Sequence, residues 1–483
     1  MGAILISERG LAMDKRPNLL LFMTDHQRND VIGMVQCGRE VTPNLNRLAE
    51  EGVRFQRAYD TCPLCVPART ALATGLYPTE NGVVYNDWKG STAGNHEPIH
   101  KTLQKAGYRV GHVGVDHIRV QPPMREQGLD FFISQEDYEI WAAAQGVVTK
   151  RSEEQLTSVE EEIEGSYVRK LYSGHQVALW NKPIEQFKDY YFKEKALEFL
   201  KEKTEEPFAL FVYLWAPHPP FKVPEPYYSM YDPQQVVLPD HIGVAAEGEP
   251  ALRRKGVPAQ LARGISREEW KKAWAAHLGL TTMADEFFGK ILAELKKQEC
   301  YDRTCILFTS DHGENLGQHN MYQKMEMYEE AVRVPFVIKV PGERQGMVRE
   351  VISHLDIRPT FCELAELDPG EGDGVSLLSA VRSGKGDEKR IVYAQYSGNP
   401  GYGTVRRAAI SGRYKYVYDS SYEHELYDLM KDPQEMHNVA GKAEYQDALQ
   451  MMHTVCRNYH EKRGDYFTWS EQNAAVGTGQ KMH

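Results

Sequence analysis

A short segment around Cys65 contains the residues with the clearest potential for chemistry. Residues 62–75 read CPLCVPARTALATG, so Cys65 is followed by Pro67 and Arg69. A cysteine can supply a covalent nucleophile, and Pro67 constrains the turn that follows it. Arg69, on the predicted following helix, provides a planar cation that binds oxyanions through two N–H groups. The segment therefore favours covalent chemistry on an anionic substrate.

The same segment begins with Cys62, and a Cys-x-x-Cys pair has two other common uses. It can form a redox-active disulfide or supply half of a zinc site. A zinc site needs a second pair at a suitable spacing, but the remaining cysteines of the chain are dispersed: Cys37, Cys300, Cys305, Cys362 and Cys456. Neither alternative requires Pro67 or Arg69, so the zinc and redox interpretations are disfavoured.

A second polar segment, residues 310–333, reads SDHGENLGQHNMYQKMEMYEEAVR. Asp311 and His312 follow an apolar run directly, and Lys324 comes later. Carboxylate and imidazole groups are frequent metal ligands. A lysine beside Glu326 and Glu329 is more often a solvated surface residue. This segment therefore indicates a site only if the fold brings it close to Cys65.

Four polar residues each come at or shortly after the end of an apolar run, which is typical of a buried central strand. The runs and the residues that follow them are Asn18–Thr24 with Asp25, Tyr108–Val113 with His117, Phe208–Trp215 with His218, and Thr304–Thr309 with Asp311. In open α/β sheets, ligands bind at the carboxyl ends of the strands. We therefore expect these residues to meet in one crevice.

Predicted helices alternate with these strands, the main ones over residues 43–52, 189–203, 267–297 and 356–367. Such alternation predicts an α/β fold with a mostly parallel sheet covered by helices on both faces. Beyond about Gly372 the pattern changes to short strands over 390–395, 407–410 and 414–418, with a helix over 444–461. The prediction is a disordered start (1–14), a catalytic domain (15–375) and a C-terminal α+β subdomain with an antiparallel sheet (376–483).

The Cys65-x-Pro-x-Arg69 motif, with Thr74 and Gly75 after it, resembles the signature of the sulfatases, and residues 311–324 resemble their metal-binding segment. The similarity runs from Asn18 to about Tyr427, which is nearly the whole chain. It implies an alkaline-phosphatase-like fold and a sulfuric ester hydrolase acting on a carbohydrate or aryl sulfate. In this family the signature cysteine is oxidised to formylglycine, so a formylglycine-generating maturation enzyme is an expected partner.

The resemblance also implies roles for individual residues. The hydrated aldehyde at Cys65 attacks sulfur with one hydroxyl, and the other hydroxyl expels sulfate as the aldehyde re-forms. Arg69 and Lys324 are expected to bind the anion, and His117 and His218 to transfer protons. The expected ligands of a divalent metal are Asp25, Cys65, Asp311 and His312. An oxygen-rich set favours Ca²⁺, and the imidazole leaves Mn²⁺ or Zn²⁺ as alternatives.

Two positions depart from the family pattern. His26 stands where many sulfatases have a second aspartate, so one oxygen ligand is missing. Val115 stands where a lysine is common, and this change occurs in relatives that hydrolyse phosphonate monoesters and phosphodiesters. A phosphonate monoester or phosphodiester hydrolase is therefore the alternative, and the presence of His117 favours the sulfatase. A non-catalytic binding module is disfavoured because every expected site residue is present.

The composition limits the possible partners and locations. The net charge of −11 on 483 residues gives no overall positive charge of the kind that binds nucleic acid. The N-terminus has no usable signal peptide, no run approaches the ~20 apolar residues of a membrane helix, and the scattered cysteines are typical of reduced thiols. We expect a cytoplasmic protein without membrane contact that acts on a small, sulfated anion. The sequence does not predict an oligomeric state.

Overall fold

A strand of unbroken apolar sequence lies in the middle of the central sheet. The computed structural model describes residues 16–87, 90–148, 153–202, 205–420 and 423–465. Strand β1 (Asn18–Asp25) is buried along its whole length. A strand buried on both faces requires helices on both sides of the sheet, which is why its sequence does not alternate. The predicted start, 1–14, and the last part of the predicted C-terminal subdomain, 466–483, lie outside the described residues.

The elements follow one another along the described chain in this way. The further strands are β2 (Val35–Gln36), β3 (Arg39–Glu40), β4 (Val53–Tyr59), β5 (Arg109–Gly114), β6 (Phe131–Ser134), β7 (Leu156–Ile163), β8 (Ser166–Ser173), β9 (Val177–Trp180), β10 (Phe208–Pro217), β11 (Phe221–Pro224), β12 (Thr304–Ser310), β13 (Arg333–Val334), β14 (Phe336–Lys339), β15 (Gly346–Ser353), β16 (Val392–Tyr396), β17 (Arg406–Ile410), β18 (Tyr414–Asp419) and β19 (Glu425–Asp428). The α-helices are α1 (Pro43–Glu51), α2 (Cys65–Thr74), α3 (Pro78–Asn81), α4 (Ile99–Lys105), α5 (Gln135–Ala144), α6 (Lys188–Lys201), α7 (Val257–Leu261), α8 (Arg267–Lys297), α9 (Glu329–Val332), α10 (Ile357–Leu364), α11 (Leu378–Ser383) and α12 (Gln446–Lys462).

The main sheet is mixed, with a parallel centre. Its strand order is β13-β4-β14-β12-β1-β10-β5-β6, and β15 pairs with β4. Strand β1 is parallel to both β10 and β12, and β5 is parallel to β10 and β6. The antiparallel pairs, β12–β14 and β4 with β13 and β14, lie on one side. The predicted α/β fold is confirmed, and the parallel centre places the ends of β1, β10 and β12 together.

A second, antiparallel sheet is formed by β16, β17, β18 and β19, with α12 packed against β17 and β18. This confirms the predicted C-terminal sheet. Val392, Ala408 and Val417 belong to the same apolar core cluster as the main sheet. The two sheets therefore share buried surface. The boundary predicted at 375/376 falls between α10 and α11, and that division stays a prediction.

The segment 137–186 contains three strands, β7, β8 and β9, that the sequence pattern does not predict. β7 and β8 pair as an antiparallel hairpin, and β9 pairs with β11. Strand β7 reads LTSVEEEI, so its glutamates conceal the alternation by which a strand is recognised.

Within the described ranges, no helix has the length and apolar character needed to cross a bilayer.

Candidate active site

The predicted site residues converge at the carboxyl ends of the central strands. Asp25 ends β1 and Asp311 directly follows β12, while His117 and His218 come just after β5 and β10. Because these strands are parallel, their ends lie at one edge of the sheet. A cavity of about 410 Å³ lies at this edge, and its lining includes Cys65, His117, His218 and Lys324.

Cys65 is the first residue of α2 and is only 3% exposed. The N-terminus of a helix carries partial positive charge, which favours an oxyanion there. The Cys65 Sγ lies 3.3 Å from His312 Nε2, 3.7 Å from Asp25 Oδ1 and 3.2 Å from Lys324 Nζ. The side chain therefore lies between two metal-ligand candidates and a cation.

The structure does not favour the redox or zinc alternatives for Cys62. Both Cys62 and Cys65 are free thiols. Among the described residues, the side-chain groups suited to hold a metal ion include Cys65 but not Cys62. Cys62 instead belongs to the apolar core.

Arg69 bridges the two aspartates at the strand ends. Its Nη2 donates to Asp25 Oδ2 and its Nε to Asp311 Oδ2, each at 2.8 Å, while Nη1 donates to the Val115 carbonyl at 3.2 Å. All three side chains of this ion pair are fully buried. Arg69 therefore holds the carboxylates so that each keeps its other oxygen, Oδ1, for a further partner. Its predicted role in binding the anion stays a prediction.

The four predicted metal ligands form one compact group. The ligand atoms of Asp25, Cys65, Asp311 and His312 all lie within 4.8 Å of one another. His312 Nε2 is 3.8 Å from Asp25 Oδ1 and 3.6 Å from Asp311 Oδ1. The backbone N–H of His312 donates to Asp311 Oδ1 at 2.9 Å, and its Nδ1 lies 3.0 Å from the Gly313 carbonyl. These contacts orient the two carboxylates and the imidazole toward a common point.

His26 is the functional candidate that sequence reasoning missed. It was noted only as the loss of an aspartate, yet Asp25, His26, Cys65 and His218 form a second group with ligand atoms within 4.8 Å. His26 Nδ1 lies 2.7 Å from Glu314 Oε2, and both side chains are fully buried. The signal available in the sequence was Glu314, three residues after Asp311, which is a carboxylate close to a metal segment.

Lys324 lies inside this cluster and not on a solvated helix. Its ammonium contacts His26 Nε2, and it is 3.2 Å from Cys65 Sγ and 3.3 Å from His218 Nε2. Lys324 is 4% exposed and also lines the cavity. A substrate anion that enters the cavity would therefore meet this ammonium next to Cys65.

Burial and neighbouring charges shift the pKa values of the metal-ligand candidates in different directions. Burial and the neighbouring Asp311 raise the pKa of Asp25 to about 8. Burial alone would raise the pKa of Asp311, but His312, Arg69 and Lys324 hold it well below its usual range. Burial lowers the pKa of His312 to about 3. The imidazole is thus neutral at neutral pH and offers a lone pair.

Burial and the nearby Asp25 carboxylate raise the pKa of the Cys65 thiol above its usual range. Since the thiolate is the nucleophilic form, this thiol is a poor nucleophile as it stands. The pKa of His26 is lowered well below its usual range, first by burial and then by Lys324 and His218. Both shifts favour the neutral forms of these two side chains.

The two predicted proton-transfer histidines face the same cavity from neighbouring strands. His218 packs on Trp215, with ring centroids 4.1 Å apart, and on His26 at 4.1 Å. His117 is 6% exposed, and its ring lies 6.1 Å from that of Trp215. Burial and Arg69 lower the pKa of His117 well below its usual range. Both side chains line the cavity that Cys65 also lines, and their roles in proton transfer stay predictions.

The mouth of the cavity is built by segments far from the central sheet. It is lined by Lys170, Leu171, Tyr172 and Ser173 of β8, by Asn86, and by Asn399 and Pro400. Tyr172 donates to the Asn399 carbonyl at 3.4 Å, and Gln323 Nε2 donates to the Ser173 carbonyl at 2.6 Å. The β7–β8 hairpin is therefore attached to the site by hydrogen bonds.

A second cavity, of about 280 Å³, shares Trp215 and His218 with the first. Its lining includes four aromatic side chains and four charged ones: Tyr138, Trp180, Phe187, Trp215, Glu139, Lys188, Asp189 and Lys222. The Lys188 ammonium lies 4.4 Å from the centre of the Trp215 ring. An aromatic wall with two lysines beside the catalytic cavity suits a ring-shaped group that carries polar substituents.

Arg406, Arg407 and Tyr402 have side chains of types that suit substrate recognition, but each has a partner elsewhere in the fold. Arg406 pairs with Asp419 at 2.8 Å and with Glu326 at 3.2 Å, and Arg407 pairs with Asp465 at 2.7 Å. The ring of Tyr402 packs on Tyr85 at 5.2 Å. The two arginines are buried in ion pairs, so they stabilise the C-terminal sheet and do not face the cavity.

The donor set fits a divalent cation. Two atoms bound to one ion at ~2.0–2.3 Å are roughly 3.0–3.8 Å apart for octahedral to tetrahedral angles. The separations among Asp25, His312 and Cys65 lie between 3.3 and 3.8 Å. The remaining carboxylate oxygens, Asp25 Oδ1 and Asp311 Oδ1, and the His312 Nε2 lone pair lie close enough together to bind one ion. Asp25, Asp311 and His312 would hold the ion, together with His26 or the side chain of residue 65.

Comparison with known proteins gives consistent matches over the length of the chain. The Sulfatase family model matches residues 17–367, and the model for the C-terminal region of N-sulphoglucosamine sulphohydrolase matches residues 317–462. The multifunctional alkaline phosphatase superfamily protein PehA of Trinickia caryophylli is 30% identical, covering 89% of this chain and 92% of that protein. An arylsulfatase of Clostridium perfringens is 26% identical, covering 94% of this chain and 96% of that protein.

Solved structures match the fold over a similar length. A phosphonate monoester hydrolase from Silicibacter pomeroyi superposes with a TM-score of 0.75 at 22% sequence identity, covering 93% of this chain and 96% of that chain. At this identity the likeness concerns the fold. It agrees with the predicted alkaline-phosphatase-like architecture.

Proposed function

The chain belongs to the sulfatase family of the alkaline-phosphatase-like superfamily, and we propose that it hydrolyses a sulfate ester of a carbohydrate or aryl alcohol to the alcohol and inorganic sulfate. The observation that carries the proposal is the position of Cys65. It begins α2 between Lys324, at 3.2 Å, and the imidazole of His312, at 3.3 Å. A tetrahedral anion at this point would contact a cation on each side once a metal ion is bound.

The nucleophile in this proposal is formylglycine, formed from Cys65 by a maturation enzyme. The Cys65 thiol is a poor nucleophile because burial raises its pKa. A thiol would also form a stable S-sulfo adduct. A hydrated aldehyde has two hydroxyls: one attacks sulfur as the bond from sulfur to the alcohol oxygen breaks. Loss of the proton from the other hydroxyl re-forms the aldehyde and expels sulfate, and water hydrates it again.

The remaining side chains act on this reaction through charge and position. Lys324 neutralises the sulfate oxygens, and Arg69 holds Asp25 and Asp311 in the orientation described above. His218 or His117 supplies the proton to the leaving alcohol oxygen, since both line the cavity. A divalent metal would lower the pKa of the attacking hydroxyl and neutralise charge on the sulfate.

The second cavity supports a ring-shaped leaving group. It shares Trp215 and His218 with the catalytic cavity, so an alcohol that leaves past His218 meets Trp180 and Trp215. Aromatic side chains bind the faces of aryl and pyranose rings through their apolar surface. The Clostridium perfringens relative is an arylsulfatase, and the proposed substrate is of the same class.

Hydrolysis of phosphonate monoesters or phosphodiesters is the second candidate. Val115 is buried beside Arg69 at a position where a lysine is common in the family, so the cavity has one cation fewer. Both substrate types present a monoanionic tetrahedral group to the nucleophile. Sulfate hydrolysis is preferred because His117 is present in the cavity.

Paired initial rates test the proposal. The chain is co-expressed with a formylglycine-generating enzyme, and conversion of Cys65 is checked by peptide mass. Rates are then measured on an aryl sulfate and on the matching aryl phosphonate monoester. A higher kcat/KM on the sulfate supports the proposal. A much higher kcat/KM on the phosphonate would replace it by the second candidate.

A further inference from the structure

We propose that His26 is a nitrogen ligand of the catalytic metal ion, that Glu314 positions it, and that this shell selects a transition-metal dication over Ca²⁺. The inference deepens the metal-dependent site of the proposed function. It rests on His26, where the family usually has a carboxylate. Its consequence concerns which ion the protein binds, which can be measured without turnover.

The position of His26 supports a role as ligand. It directly follows Asp25, and its Nε2 lies 3.8 Å from Asp25 Oδ1. Its ring centroid is 4.1 Å from that of His218 and 4.5 Å from that of His312. It is fully buried and shares with Asp25, Cys65 and His218 a set of ligand atoms within 4.8 Å. This set shares Asp25 and Cys65 with the predicted one, so both surround a single region.

Glu314 fixes which nitrogen of His26 faces that region. Glu314 Oε2 is 2.7 Å from His26 Nδ1, and Oε1 accepts the Leu316 N–H at 3.1 Å. An ionised carboxylate only accepts hydrogen bonds, and the Lys324 ammonium that contacts Nε2 only donates them, so His26 donates from Nδ1 and its Nε2 keeps the lone pair. A buried carboxylate behind a histidine is the usual support of a metal-ligating imidazole, and it raises the basicity of the ligand.

The backbone of His26 is also constrained. Its φ of 65° lies in the left-handed region, which residues other than glycine rarely adopt because the Cβ atom is crowded there. His277 Nε2 lies 3.1 Å from the His26 carbonyl, and the His26 N–H donates to Asp311 Oδ1 at 3.3 Å. The surrounding side chains thus hold His26 in a strained conformation, as at other functional sites.

The donor set distinguishes between classes of metal ion. Ca²⁺ prefers six to eight oxygen ligands, whereas imidazole suits transition-metal dications such as Zn²⁺ and Fe²⁺. Mn²⁺ resembles Ca²⁺ in its preference for oxygen ligands, so a preference for Mn²⁺ over Ca²⁺ is a stringent test of the nitrogen ligands. With His26, the shell has two carboxylates and two imidazoles, those of His26 and His312. Where the family usually has an aspartate, His26 supplies a neutral nitrogen ligand in place of a negatively charged oxygen ligand. We therefore expect the site to bind a transition-metal dication in preference to Ca²⁺.

A competing role for His26 is to orient Lys324, whose ammonium contacts Nε2. In that case His26 would accept a hydrogen bond from Lys324 and would not bind the metal. The two roles differ in one observable, the nitrogen bound to the ion. A ligand nitrogen couples magnetically to bound Mn²⁺, and an acceptor for Lys324 does not.

The experiment uses the full chain, freed of metal by a chelator. Wild type and three variants are each equilibrated with equal concentrations of Mn²⁺ and Ca²⁺, and bound metal is measured by mass spectrometry. His26→Asp restores the family carboxylate, and Glu314→Gln removes the acceptor. His175→Asp is the matched control, because His175 pairs with Glu269 and lines a different cavity. Pulsed EPR of the Mn²⁺ forms then detects coupled histidine nitrogens.

We expect wild type and the control to bind Mn²⁺ preferentially and to show equal nitrogen coupling. His26→Asp should lose one coupled nitrogen and shift the Mn²⁺-to-Ca²⁺ ratio at least tenfold toward Ca²⁺. Glu314→Gln should weaken Mn²⁺ binding by about 10–100-fold. Unchanged nitrogen coupling in His26→Asp, or a wild type that prefers Ca²⁺, would overturn the proposal. If His26→Asp does not fold, the Glu314→Gln affinity decides, and an unchanged value there also overturns it. None of these readouts depends on sulfate turnover, so a failure of the proposed function stays separate.

Discussion

Replacing Arg69 by glutamine tests whether this arginine is part of the framework of the site or only a contact for substrate. In the structure its guanidinium makes two 2.8 Å hydrogen bonds to Asp25 and Asp311, all fully buried. Hydrogen bonds to charged groups contribute ~1.5–3 kcal/mol each, which gives roughly 3–6 kcal/mol. Removing one partner of a buried pair costs a similar ~3–5 kcal/mol.

The lower end of this range applies to Arg69→Gln in the metal-free protein. Asp25 has a pKa of about 8, so it can hold a proton and reduce the repulsion between the two carboxylates. We therefore expect the free energy of unfolding to fall by ~3 kcal/mol. The measurement is urea unfolding at pH 7 in a chelator, followed by tryptophan fluorescence. Turnover by the matured variant should fall more than 100-fold.

Lys324→Gln is the matched control, because Lys324 contacts Cys65, His26 and His218 and not the two aspartates. It should abolish most turnover but change the unfolding free energy by no more than ~1 kcal/mol. If Arg69→Gln unfolds at the same urea concentration as wild type, the arginine does not hold the carboxylates in solution. Arg69 would then act on the substrate alone.

Three further outcomes are expected. Cys65→Ala should abolish turnover while leaving the thermal unfolding midpoint near that of wild type; a near-normal rate would exclude Cys65 as the nucleophile. Chelation should lower turnover at least 100-fold, and added dication should restore it; full activity in chelator would exclude a metal-dependent reaction. Trp180→Ala should raise KM about 3–10-fold for an aryl sulfate, because a ring contact contributes ~0.5–1.5 kcal/mol, with methyl sulfate as the control substrate; equal effects on both substrates would remove Trp180 from the leaving-group cavity.

The sequence predicts the central sheet and the meeting of its polar strand ends well, for a physical reason. Strands buried on both faces require unbroken apolar runs such as 208–215. A polar residue that directly follows such a run therefore lies at the edge of the sheet, where the strand ends. The predicted positions of Asp25 and Asp311 follow from this pattern. The Cys65 motif and the segment 311–324 resemble the same family independently, so each supports the assignment made from the other.

The features that the sequence did not predict depend on contacts between distant residues. The sequence marks His26 only as the loss of an aspartate, because its contact with Glu314 joins residues that are 288 positions apart. The ion pairs of Arg406 and Arg407 with Asp419 and Asp465 likewise could not be read from local sequence. The β7–β8 hairpin escaped prediction because its glutamates hide the alternation of a strand.

Measuring sulfate release against the converted fraction of Cys65 tests directly whether formylglycine at this position is the nucleophile. Preparations with different formylglycine content, obtained by varying expression of the maturation enzyme, are assayed on one aryl sulfate, with conversion measured by peptide mass. If formylglycine is the nucleophile, the rate of sulfate release is proportional to the converted fraction, and the fitted line passes through the origin. Substantial sulfate release from fully unconverted protein, or a rate independent of conversion, would contradict it.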